Sequence, residues 1–231
     1  MTSRCHLPLL IVTCCLTAGC VDGPFSQLAE WNPWYTQQWQ KDEERGPTYH
    51  RRCEELQLLQ SQATQLSPKE QAQYIDQLTR LVRDDSNPAI RAEATRTLSM
   101  FTNPAILPGM RMATTDSDPF VRIAACRVWG KIGGAEALQS LADRVTKDEV
   151  LDVRIRAATE LGNFQDPAAV EALGTALNDH DPALQYQAMQ SLKSCTGRDY
   201  GNNVASWREF VAGRTPPEST PSLAERMRAY F

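Results

Sequence analysis

Apolar and small residues return along this chain at helical spacing, and the whole pattern then repeats. An aliphatic residue stands at Ile90, Val121, Val153 and Leu184; alanine follows four positions on, at Ala94, Ala125, Ala157 and Ala188. Four further on comes a large apolar residue: Leu98, Trp129, Leu161 and Leu192. Positions spaced in this way share one helix face. Polar columns agree as well. Arg91, Arg122, Arg154 and Gln185 follow the aliphatic residue directly, and Asp85, Asp116, Asp148 and Asp179 stand six positions before them. Four copies at a period of 31 to 32 residues make an internal repeat.

Each copy reads as a helical hairpin. Asn87-Pro88, Asp118-Pro119 and Asp181-Pro182 place a capping side chain just before a proline at the start of the second helix. The side-chain oxygen accepts an orphan backbone N–H, and proline at the first helical position sacrifices no bond. The first halves are apolar-periodic too: Ile75, Leu78 and Val82; Ala137, Leu138, Leu141 and Val145; Val170, Leu173 and Leu177. The alanine column predicts close approach of two helices. One hairpin cannot bury both faces, whereas stacked hairpins can. The predicted fold is an all-α, right-handed α-solenoid of about four recognisable repeats with a cap at each end.

The Asp–x–x–Pro–x–(Val/Ile)–Arg–x–x–Ala run and the closing Leu161-Gly162 resemble the HEAT family, in particular its short bacterial form, the phycobilisome-lyase-like HEAT repeat. The resemblance covers about residues 68–200. It implies that the Asp85, Asp116, Asp148 and Asp179 column and the Arg91, Arg122 and Arg154 column form a structural ladder between neighbouring repeats. The third copy departs from the pattern, with Val150-Leu151 in place of Asp-Pro, and the fourth has Gln185 in place of arginine, so the ladder is expected to end or weaken there.

The flanks divide into smaller regions. Residues 1–19 have an arginine near the start, then a short apolar run from Leu7 to Ala18 that is too short to span a membrane as a helix. Leu16-Thr17-Ala18-Gly19-Cys20 resembles a bacterial lipobox, which implies cleavage before Cys20 and lipidation of its thiol. Residues 20–47 form a tether rich in tryptophan. Trp31, Trp34 and Trp39 either cover the open end of the first hairpin or dock on a partner or membrane. Residues 48–67 predict an N-terminal capping helix, and Ser67-Pro68 starts the next. Pro104 and Pro108 shorten or bend the first helix of the second repeat. The segment 201–214 predicts a C-terminal capping helix carrying Val204, Trp207, Phe210 and Val211. Residues 215–231 are a proline-rich linker and a short amphipathic stretch with Leu223, Met227, Tyr230 and Phe231.

Composition narrows the chemistry. Of seven cysteines, three leave with the leader and Cys20 would carry lipid. Cys53, Cys126 and Cys195 remain, without CxxC spacing, and read as small buried apolar residues. His50 and His180 are the histidines left after the leader and lie far apart in the repeat order. The chain has no HExxH, GxSxG, phosphate loop or dinucleotide fingerprint. Phycobilin lyases share the expected fold, but no pigment pocket stands out. Deoxyhypusine hydroxylase also resembles these repeats, yet its iron site requires His-Glu pairs, and this chain has no His-Glu dipeptide. A net charge of −4, with arginine alternating with acid, disfavours nucleic acid.

The sequence therefore predicts a non-catalytic scaffold or assembly factor without cofactor or metal. It is expected to be lipid-anchored in a bacterial envelope, facing the periplasm, with another envelope protein as partner. Arg96, Arg127 and Glu160, on the second helices, are the expected exposed contacts, together with Trp31 and Trp34. The alternatives are a cofactor-handling protein of the lyase type, an oxidoreductase-like relative of the hydroxylase lacking its iron ligands, and a passive spacer.

Overall fold

The structure, a computed structural model, describes residues 46–217. Cys20, Trp31, Trp34 and the segment 218–231 lie outside the described residues. Ten α-helices follow one another among those described: α1 Tyr49–Gln62, α2 Pro68–Asp84, α3 Pro88–Leu98, α4 Leu107–Thr114, α5 Pro119–Ile132, α6 Gly134–Lys147, α7 Leu151–Leu161, α8 Pro167–Ala176, α9 Pro182–Thr196 and α10 Val204–Val211. The compact unit that carries the repeats begins at Cys53, within α1.

Local chemistry sets the helix starts. Asn87, Asp118, Asp166 and Asp181 accept the backbone N–H two residues on, and each precedes a proline. Ser67 and Glu70 form a reciprocal capping box at the start of α2. Val150, before α7, has no capping side chain. There Asp148 takes the Val150 N–H at 3.0 Å, so the turn is held from two residues upstream. Pro104 and Pro108 have the expected effect. The segment becomes a 3₁₀ turn, Pro104–Ile106, followed by the eight-residue α4. Gly133 (φ 69°) and Gly197 (φ 70°) end α5 and α9 in backbone that side-chain-bearing residues avoid.

The helices pair as α2/α3, α4/α5, α6/α7 and α8/α9, and the hairpins stack into an α-solenoid. The second helices form a continuous row, α3 on α5 on α7 on α9, while α2 packs on α4 and α6 on α8. The sequence columns become the core. Ala94, Ala125, Ala157 and Ala188 have no exposed surface, and neither do Ile90, Val121, Val153 and Leu184. Leu98, Trp129, Leu161 and Leu192 close the layer beneath. Trp129 donates its indole N–H to Thr114 Oγ1 at 2.7 Å, which meets the polar requirement of a buried tryptophan.

At the C-terminal end α10 packs on α8 and α9. Tyr200, Trp207 and Phe210 form an aromatic cluster, with the Tyr200 and Trp207 rings edge to face at 5.0 Å. Trp207 donates to the Gly201 carbonyl at 2.8 Å, and Arg208 donates to the Leu177 carbonyl at 2.6 Å, satisfying the end of α8. Gly174 permits the approach, because a Cβ there would stand 2.5 Å from Val211 Cγ1.

Candidate interaction surface

One edge of the stack carries the aspartate and arginine columns. Arg91 forks onto Asp116 of the next repeat, with Nε to Oδ2 at 2.8 Å and Nη2 to Oδ1 at 2.7 Å. Arg122 forks onto Asp148 in the same way, at 2.9 Å for both bonds. The arginines also serve their own repeats: Arg91 donates to the Asp85 carbonyl, and Arg122 to those of Asp116 and Ser117. Each aspartate accepts the N–H two residues on: Asn87 for Asp85, Asp118 for Asp116, Val150 for Asp148 and Asp181 for Asp179. The carboxylate thus shapes its own inter-helix turn and receives the preceding repeat's guanidinium.

The rungs differ in strength. Arg122 and Asp148 are nearly sealed, at 6% and 1% exposure, and Arg144 adds a contact to Asp148 at 3.2 Å. Burial alone would raise the Asp148 carboxyl; the bonds from Arg122 and Val150 and the charges of Arg122 and Arg144 outweigh it and hold it below its ordinary value. The same balance depresses Asp116. At the third rung Arg154 meets Asp179 at 3.5 Å, and its buried Nε has no hydrogen-bond partner among the described residues. Gln185 donates to the Asp179 carbonyl at 2.6 Å. Its counterpart for a fourth rung would be Phe210, 25 residues on, the spacing from Arg91 to Asp116. A neutral amide there avoids stranding a charge at the end of the series.

The outer face of the second helices holds the expected contact residues. Arg127 is exposed and Arg96 is partly so, the latter ion-paired with Glu93 at 2.6 Å. Glu93 in turn accepts from Gln60 at 2.7 Å, tying α1 to α3. Glu160 requires a correction: it is not an exposed side chain. It is 14% exposed and lies over Gly130 of the neighbouring helix, where a Cβ would stand 2.2 Å from its carboxylate. Burial raises its carboxyl above the ordinary value, against the pull of Arg156, Arg127 and Lys131. Packing between α5 and α7 therefore consumes a group that periodicity places on the outside.

Two aromatic residues on this face were not singled out from the sequence. Phe120 on α5 is 70% exposed and Tyr186 on α9 is 51% exposed. Tyr186 occupies the same repeat position as the half-buried Ile123 and Ile155. On α5, Phe120, Ile123 and Arg127 fall on one face. Arg127 and Lys131 have no ion-pair partner among the described residues. An excess of large side chains at outward repeat positions was the available signal, hidden because the columns vary there.

The described residues hold no group of three or more His, Cys, Asp or Glu side chains placed for a metal. No helix among them is long and apolar enough to cross a membrane. Cys126 is buried, and that burial pushes its thiol up to about 12. A family model described as HEAT repeats matches residues 75–155 and 147–205. No curated protein matches the chain.

Proposed function

The chain belongs to the HEAT-repeat family, and from that premise we propose that it is a non-catalytic scaffold that holds another protein against the outer face of its second helices. The observation that carries this reading is the row on that face: exposed Phe120 and Tyr186, half-buried Ile123 and Ile155, and the exposed cations Arg127 and Lys131. Exposed aromatic residues beside exposed arginine have the composition of interaction hot spots.

The finer placement is also a proposal. The Leu16–Cys20 segment supports cleavage and lipidation at Cys20, with the repeats facing the periplasm of a bacterial envelope and an envelope protein as partner. Membrane attachment through acyl chains gains roughly 0.8 kcal/mol per buried CH₂. The phycobilisome-lyase-like character of the repeats rests on the Asp-x-x-Pro-x-(Val/Ile)-Arg runs.

The test is cross-linking in native membranes followed by mass spectrometry of what co-purifies with the tagged full chain. The expected result is one specific protein, lost from Phe120→Ser/Tyr186→Ser and from Arg127→Glu. Both changes lie on exposed side chains, so the helical signal is expected to remain. Recovery of the same protein with all three substitutions would overturn the surface. Cys20→Ala is expected to move the protein from the membrane to the soluble fraction, and its persistence in the membrane pellet would overturn the anchor.

A further inference from the structure

We propose that the groove at the C-terminal end of the stack is a peptide-docking site, and that its occupant is the chain's own segment Ser222 to Phe231. The groove has a volume of about 560 Å³. Pro167 and Val170 of α8, Cys195 near the end of α9 and Val211 at the end of α10 form its apolar lining, and Asp166 and Glu171 stand on its rim.

The first support is a core position left open. Val170 of α8 packs against the core yet remains half-exposed. The chain continues into α10, which reaches the groove only through Val211. An apolar side chain at the edge of the core is thus partly uncovered at the last layer.

The second support is where the chain goes next. After α10 the backbone passes through exposed residues to Pro216, which is buried. Five positions past the end of α10 the chain thus still holds a covered residue. Residues 217–221 are five in number and span at most about 17 Å when fully extended, so the following segment starts within about that distance of Pro216.

The third support is complementarity. Leu223, Met227 and Tyr230 share one face at helical spacing, followed by Phe231, while Arg226 and Arg228 outweigh Glu225 and leave the segment's side chains net positive. The groove offers the converse: apolar Pro167, Val170, Cys195 and Val211 beside Gln165, Asp166 and Glu171, with no cation among its lining residues. Ten residues are too few for a lone helix in water, so such a segment gains order only against a surface.

The first experiment uses full-length protein carrying Val170→Cys and Met227→Cys under mild oxidation, with peptide mapping of the products. A disulfide between positions 170 and 227 of one chain is the expected result. No link, or a link found only between two chains, overturns docking within the molecule; the second outcome would assign the groove to another copy's tail. The second experiment reads alkylation of native Cys195 by mass spectrometry, with buried Cys126 as the reference thiol. Charging the anchors, in Leu223→Asp/Met227→Asp, is expected to speed Cys195 alkylation several-fold while Cys126 stays slow. Equal Cys195 rates in the two proteins would overturn the proposal. Neither readout involves Phe120, Tyr186 or Arg127, so failure here leaves the scaffold reading intact.

Discussion

Asp148 is the residue whose loss is expected to damage the stack most for its size. Its carboxylate accepts both arms of Arg122 at 2.9 Å, Arg144 at 3.2 Å and the Val150 N–H at 3.0 Å. Replacing it with alanine leaves the Arg122 guanidinium, 6% exposed, with the exposed Glu149 at 3.9 Å as its remaining ion-pair partner among the described residues, and leaves the start of α7, which has no other side-chain cap, unsupported. Removing one partner of a buried pair costs about 3–5 kcal/mol, because the remaining charge stays out of water. For a chain of this size that corresponds to a fall in the thermal midpoint of roughly 6–20 °C. Urea and thermal unfolding followed by helical circular dichroism measure it directly. Arg122→Met should cost a similar amount, and Arg122→Met/Asp148→Leu should cost less than the two singles added, since neither charge is then stranded. The exposed Arg111–Glu136 pair is the control, and Arg111→Met should leave the midpoint where it is. The pH dependence carries the same logic. The folded Asp148 carboxyl titrates below its ordinary range. Its stabilisation is therefore complete above the unfolded value of about 3.9 and disappears as pH falls through the lower folded value. Asp148→Asn should flatten that acid limb. An Asp148→Ala loss below about 1 kcal/mol, or additive single and double variants, would refute the buried-rung account.

Other sites give independent tests. Glu160 titrates above its ordinary value, so its ionisation weakens the fold as pH rises from the unfolded value of about 4.3 through the raised folded value. Glu160→Gln should gain on wild type across that window, and parallel urea midpoints from pH 4 to 7 would contradict this. Gly174→Ala drives a methyl into Val211 and should cost about 1–3 kcal/mol by overpacking, seen as faster hydrogen exchange in residues 204–211. Unchanged exchange there would show that α10 does not depend on this approach. Trp129→Phe removes the bond to Thr114 and part of a sealed side chain, for an expected loss of about 2 kcal/mol in urea unfolding.

Much of the architecture is written in short-range chemistry, which a sequence displays openly. An asparagine or aspartate before proline caps its helix through an N–H two residues away, wherever the helix later packs. The columns from Ile90 to Leu98 and their three repeats mark one face of each second helix, and burying that face follows from stacking. The polar ladder is different. Residue type and period place an aspartate and an arginine in every repeat. Only the stacked structure decides that Arg91 forks onto the Asp116 carboxylate while donating to the backbone carbonyl of its own repeat's Asp85. That choice depends on how far apart neighbouring hairpins settle, a distance set by the sealed alanine layer. The same spacing draws Glu160 over Gly130 and out of solvent, where helical periodicity alone places it outside. It also leaves Phe120 and Tyr186 uncovered and opens the terminal groove beside Val170. Caps and periods are properties of a few consecutive residues. Exposure and pairing across repeats belong to side chains some 25 or more positions apart, and tertiary packing alone brings those together.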